Sequence, residues 1–184
     1  VRRSLKALPN RSSVDLRDSI IEVPVTGTAQ SGSPLTISDP IEDALMIGDY
    51  EKALTLSRDA ISRHPDHPNS YYKGGRALLG LARPEEATDY FYEAVALNEE
   101  EDRYLEALGV AYIKMEKPDL ALAAFKKAIS LNKKNSFAYF NAAAVLENEQ
   151  RYSKAADFYH AAGMAAVLAE DYDRARRALS GLDR

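Results

Sequence analysis

There is no cysteine and no tryptophan among the 184 residues. Without thiols the chain can have no disulfide, thiolate metal site or catalytic cysteine. This does not fix a compartment, since disulfide-free proteins occupy reducing and oxidising environments alike. No apolar run approaches the roughly 18 residues that a bilayer-spanning helix needs. Charge of one sign is also scarce: 24 Lys and Arg stand against 28 Asp and Glu, a net charge of -4. That balance supplies no global field for nucleic acid or an acidic membrane surface. Glycine-rich phosphate loops, a nucleophile elbow and a serine motif with a base are missing as well. What is present, 46% apolar and 28% charged residues, is enough for one repeat domain plus a tail. The first residue is Val1 rather than methionine, which is compatible with removal of a tag, signal peptide or longer upstream region and does not decide it.

The informative feature is a period. Ala53, Ser57 and Ala60 fall over Ala87, Phe91 and Ala94, then over Ala121, Phe125 and Ala128, then over Ala155, Tyr159 and Ala162, each set 34 residues from the next. Tyr50, Pro84, Pro118 and Tyr152 precede the first alanine of each set. Further upstream lie Gly75, Gly109 and Ala143, small enough for a second helix to approach, each followed by Leu78, Tyr112 or Leu146. A period of this size marks repeated helical hairpins, each too small to bury its apolar face alone.

This pattern resembles the tetratricopeptide repeat (TPR) family, whose repeats put a small residue and an aromatic on the first helix and alanine, aromatic, alanine on the second. The match spans residues 38 to 162 and is strongest in the third copy, with Leu108, Gly109, Tyr112, Pro118, Ala121, Phe125 and Ala128 in place. The first copy departs from it, with a short helix before Gly48-Asp49-Tyr50 and Ser57 where an aromatic is expected; the second and third carry Glu99 and Lys133 at the repeat-end proline position held by Pro65. The resemblance implies an all-α, right-handed α-solenoid.

Three regions are expected. Residues 1–37, punctuated by Pro9, Pro24, Gly27, Gly32 and Pro34, read as an extended or flexible tail. Within it, Ile20, Ile21, Val23 and Val25 suit either an edge strand or groove-bound segment, or a plain tether. Its basic start, Arg2, Arg3, Lys6, Arg11 and Arg17, is diluted by Asp15 and Asp18 and reads as solvated. Residues 38–168 hold four repeats, the first truncated, with helices at 39–47, 50–63, 69–81, 84–97, 103–115, 118–131, 136–148 and 152–168. Residues 169–184 form a capping helix near 171–182, in which Tyr172, Ala175 and Leu179 echo a second repeat helix. Asp171, Asp173, Arg174, Arg176 and Arg177 would supply its polar outer face.

The resemblance also places first helices on the concave surface, so repeat phase selects a candidate groove: Tyr72, Lys73 and Arg76 from the second copy, Arg103, Glu106 and Val110 from the third, Phe137, Phe140 and Asn141 from the fourth. Positions three and four apart share a helical face. Arginine grips a carboxylate with two hydrogen bonds and aromatic anchors desolvate apolar side chains, so the stripe suits a segment carrying a carboxylate and an apolar group, with Asn141 available to its backbone. The alternative is that the phenylalanines pack between repeats and the cations are solvated. The lysine and asparagine set with which some relatives clamp an acidic chaperone tail is not reproduced at the matching phases. His64 and His67, in His64-Pro65-Asp66-His67-Pro68, read as a repeat joint rather than a metal site. Glu99 to Asp102 read as favourable charge at a helix start.

No catalytic residue, metal or cofactor is expected. The expected function is a protein-binding scaffold or adaptor for a peptide or protein partner, in a bacterial pilus or secretion assembly under a narrower reading. The rivals are a regulatory domain of a larger enzyme and a self-associating module joined through its tail or last helix. Cytoplasmic and periplasmic settings are both compatible.

Overall fold

The computed structural model describes residues 39–168 and 172–180. The expectations for residues 1–38, 169–171 and 181–184, and for the side chains of Tyr172, Asp173 and Arg176, lie outside the described part. Nine helices follow one another among the described residues: α1 (Pro40–Met46), α2 (Tyr50–Arg63), α3 (Pro68–Gly80), α4 (Pro84–Leu97), α5 (Asp102–Lys114), α6 (Pro118–Leu131), α7 (Ser136–Asn148), α8 (Tyr152–Leu168) and α9 (Tyr172–Ser180). Each packs against its sequence neighbours, and α1, α3, α5 and α7 also touch in succession. That is the contact pattern of an α-solenoid in which odd helices form one wall and even helices the other.

Local chemistry sets the ends. Asp39, Asp49 and Asn135 cap their helices by accepting hydrogen bonds from the amides of Ile41, Lys52 and Ala138. Pro68, Pro84 and Pro118 occupy a first helical position, where a missing N–H leaves no intrahelical bond unmade. Every hairpin turn is the same motif: Gly48, Ala82, Glu116 and Gln150 have φ of 77, 56, 58 and 60°. The next residue's amide donates back to Ala44, Leu78, Tyr112 or Leu146. This left-handed closure satisfies two otherwise orphaned carbonyls. It also explains why α3 and α5 stop one residue earlier than the pattern suggested: Leu81 and Met115 already belong to the cap. Their starts are one residue earlier as well, at Pro68 and Asp102.

The repeat residues make the core. Phe91 and Phe125 are fully buried. Each presses on a glycine of its partner helix: a Cβ at Gly75 or Gly109 would lie 2.5 Å from the ring. Fully burying such a ring is worth about 1.5–3 kcal/mol. In the first copy Ser57 takes the aromatic's place, fully buried, and its hydroxyl donates to the Ser70 carbonyl at 2.6 Å, so no polar cost remains.

The last helix differs from the expectation that it echoes a second helix. It packs on α8 as a first helix packs on the second helix before it, with Leu179 against Gly163 and Arg174 reaching Ser136 of α7. In that register Arg177 stands where Gly75, Gly109 and Ala143 stand, and Ser180 where Leu78, Tyr112 and Leu146 stand. A further second helix would meet charge instead of a small residue, and Arg177 is exposed.

Candidate functional site

The groove candidates separate into two groups on the first-helix wall. Tyr72 centres the first. It is 5% exposed, tilted against Tyr104 at 5.2 Å and Phe91 at 6.1 Å between ring centroids. The guanidinium groups of Arg76 and Arg103 lie 5.6 and 5.9 Å from its centroid. Burial pushes its hydroxyl up to about 12, so it stays protonated and the two cations meet a neutral ring face.

These cations are held differently. Arg76 donates through Nη1 to both oxygens of Glu42, at 3.1 and 2.9 Å, and its side chain is only 9% exposed. Lys73 is paired with Asp39 in the same way, one period apart. Arg103 instead donates through Nε and Nη2 to the carboxylate of Glu101, at 2.8 and 3.2 Å, with 59% of its side chain exposed. That hydrogen bond holds Glu101 below its usual range. The groove candidates did not include Asp39, Glu42 and Glu101, yet the first two carried a signal: an acid one period before each base.

Beside this corner Glu106 is 4% exposed. Its Oε2 accepts a hydrogen bond from Asn135 Nδ2 at 2.8 Å, and the same amide donates to Asp102 at 2.6 Å. Burial outweighs that hydrogen bond and pushes the carboxyl up to about 7. Val110, 1% exposed, and Asn141, fully buried, back the wall rather than line its surface.

The second group lies one repeat on. Phe140 is half-buried and meets Tyr159 edge-on at 5.3 Å. Phe137, also half-buried, lies beneath the Arg174 guanidinium, 3.4 Å from its centroid, and Arg174 Nη1 donates to Ser136 Oγ at 3.0 Å. Sequence reasoning missed Arg174 because it registered the last helix as a second helix. The structure therefore brings together Tyr72, Arg76, Arg103 and Glu106, holds Lys73 against Asp39, and leaves Phe137 and Phe140 as a separate aromatic pair toward α9. Among the described residues no group of three or more His, Asp or Glu side chains is placed to hold a metal ion, and no helix is long and apolar enough to cross a membrane.

Family models for the tetratricopeptide repeat match residues 42–102, 102–135 and 124–157. The chain belongs to the tetratricopeptide repeat family. This TPR chain is 33% identical over 98 residues to human protein O-mannosyl-transferase TMTC3, a match covering 53% of this chain and 11% of that protein. It is 28% identical over 151 residues to the type IV pilus assembly protein PilF of Pseudomonas aeruginosa, covering 81% of this chain and 57% of PilF. Solved structures show the same fold. The thermophilic TPR protein TTC0263 of Thermus thermophilus superposes with a TM-score of 0.69 at 21% identity, over 78% of each chain. YrrB, described as a TPR protein with an unusual peptide-binding site, gives 0.55 at 24%, over 77% of this chain and 80% of its own.

Proposed function

We propose that this TPR chain is a non-catalytic scaffold that holds a peptide or protein segment along its first-helix wall, with Tyr72, Arg76 and Arg103 at one end and Phe137 and Phe140 at the other. The observation that carries this reading is the Arg103 guanidinium, poised over a buried aromatic ring while its head remains in solvent. An exposed ion pair such as Arg103–Glu101 contributes little, so a ligand carboxylate can replace Glu101 with a bidentate grip at small cost. Arg76, more deeply held by Glu42, shapes the corner. An apolar ligand side chain would be desolvated on the half-buried phenylalanines. Because packed helices hold these groups, the wall has little conformational freedom to lose on binding. The peptide-binding site of YrrB supports the same reading.

The test is selection of peptides from a displayed random library against the whole chain, followed by fluorescence anisotropy. Arg103→Glu and Phe140→Ala should each weaken selected peptides by about tenfold or more, and Lys154→Ala, on the opposite wall, by less than about twofold. Equal affinity in all three variants would refute a first-helix groove.

The likeness to PilF, which extends over most of this chain, favours a place in a pilus-type assembly. A graft of residues 40–168 into the matched region of PilF that folds yet restores no pilus would count against that placement. The likeness to a mannosyltransferase is confined to 11% of that protein. It supports the rival reading, a repeat domain of a larger enzyme, only as far as the repeats extend; a reading frame continuing into a catalytic domain would decide for it.

A further inference from the structure

The second helices carry a charge pattern that the groove does not use. In equivalent windows one period apart, residues 84–100 hold acidic side chains and no base, whereas residues 118–134 hold lysines and a single acid, Asp119. Windows 50–66 and 152–168 are balanced. The reversal is position for position: Glu93 becomes Lys127, Glu99 becomes Lys133 and Glu100 becomes Lys134. Glu93 and Lys127 lie on α4 and α6, and the other four in the joints directly after them; all six are exposed, and no ion pair joins any of them to another charge among the described residues.

The first-helix wall behaves differently. There, opposite charges one period apart do meet, as Asp39 with Lys73 and Glu42 with Arg76. Consecutive first helices touch, whereas consecutive second helices are separated by the first helix between them. Complementary charges on the second-helix wall are thus left facing solvent side by side. Near these charges Leu97 is 41% exposed on α4, and Leu120 and Leu131 are 47% and 42% exposed on α6; Tyr92, 51% exposed on α4, turns its hydroxyl to that of Tyr112 on α5.

A two-fold interface must be complementary to itself. An acidic stripe beside a basic stripe meets that condition about an axis running between them. We propose that the outer faces of α4 and α6, together with the joints that directly follow them, form an interface between two copies of this chain, the acidic row of each lying on the lysine row of the other. The exposed leucines supply apolar area near the charged rows, and the charges fix register and orientation. Because these charges are exposed, association strengthens as ionic strength falls and the screening length grows from about 3 Å at 1 M salt to about 30 Å at 0.01 M.

Sedimentation equilibrium of the full chain tests this with two variants. One reverses the lysines (Lys127→Glu, Lys133→Glu, Lys134→Glu) and the other reverses the acids (Glu93→Lys, Glu99→Lys, Glu100→Lys). Wild type should show dimer mass at low salt and dissociate at high salt. Each variant alone should be monomeric, and their equimolar mixture should regain dimer mass with a Kd within about tenfold of wild type. Far-UV circular dichroism checks that the helices are intact. If a reversal unfolds the chain, glutamine at the same three lysines should still weaken the dimer at least tenfold. A wild-type chain that stays monomeric at low salt, a dimer indifferent to reversal, or a mixture that stays monomeric each overturns the proposal. A lysine stripe that serves an acidic partner of another kind would give the first of these results.

Discussion

Replacing Glu106 with glutamine should stabilise the protein above pH 7 and leave it about as stable as wild type near pH 4. The carboxyl is buried, and that burial pushes its pKa from 4.5 to about 7 against the opposing pull of the Asn135 hydrogen bond. A group whose folded pKa is raised favours the folded state when protonated. Its contribution is complete below the unfolded pKa, declines as pH climbs from about 4.5 to about 7, and is fully lost above that. At 1.36 kcal/mol per unit, the loss is about 3 kcal/mol. Glutamine carries no charge to desolvate, and its carbonyl still accepts from Asn135 Nδ2. Glu101, held low by Arg103, slopes in the opposite sense but is common to both proteins, so the wild-type-minus-variant difference isolates Glu106. Urea unfolding followed by circular dichroism at pH 4 and pH 8 measures that difference. A gap that does not change between the two pH values, or a variant less stable at pH 8, would show that Glu106 is not a desolvated carboxylate.

Two further predictions concern the repeat itself. Gly109→Ala places a methyl 2.5 Å from the Phe125 ring and should cost about 1–3 kcal/mol by overpacking; Phe125→Leu in the same chain should recover part of it, and additive losses would contradict direct contact. Ala82→Gly and Gln150→Gly relieve left-handed residues at φ 56 and 60° and should each gain about 0.5–1 kcal/mol, the left-handed penalty less glycine's greater entropy loss. Gly48→Ala should lose a similar amount, and a gain there would mean the turn tolerates side chains freely.

Most of the scaffold was legible because the repeat writes it several times. The period fixed which residues share a face, and Gly75 and Gly109 announced where a ring would press. Helix starts were visible in Asp39 and the prolines. The turn motif was harder to see, because only Gly48 wears the residue that advertises a positive φ; Ala82, Glu116 and Gln150 adopt it under tertiary constraint, without a local signal. The last helix was misregistered because Tyr172, Ala175 and Leu179 resemble a second-helix pattern, whereas packing responds to the small-residue position, and Arg177 occupies it.

The candidate groove was less legible for a physical reason that the ladder pairs expose. Phase identifies every residue on the first-helix wall, but on a wall whose helices touch, the same phase also chooses the partners between repeats. Lys73 and Arg76 are drawn to Asp39 and Glu42 in this way, and Val110 and Asn141 are covered by their neighbours. Arg103 escapes because the residue one period earlier is Asn69, which offers no charge, and it turns to Glu101 at its own helix start. A base on the inner wall is thus available to a ligand when its neighbour one period away cannot neutralise it. Substituting Asn69 with aspartate would supply that missing acid, and by this reasoning would draw Arg103 inward and weaken an acidic ligand without touching any residue of the aromatic pair.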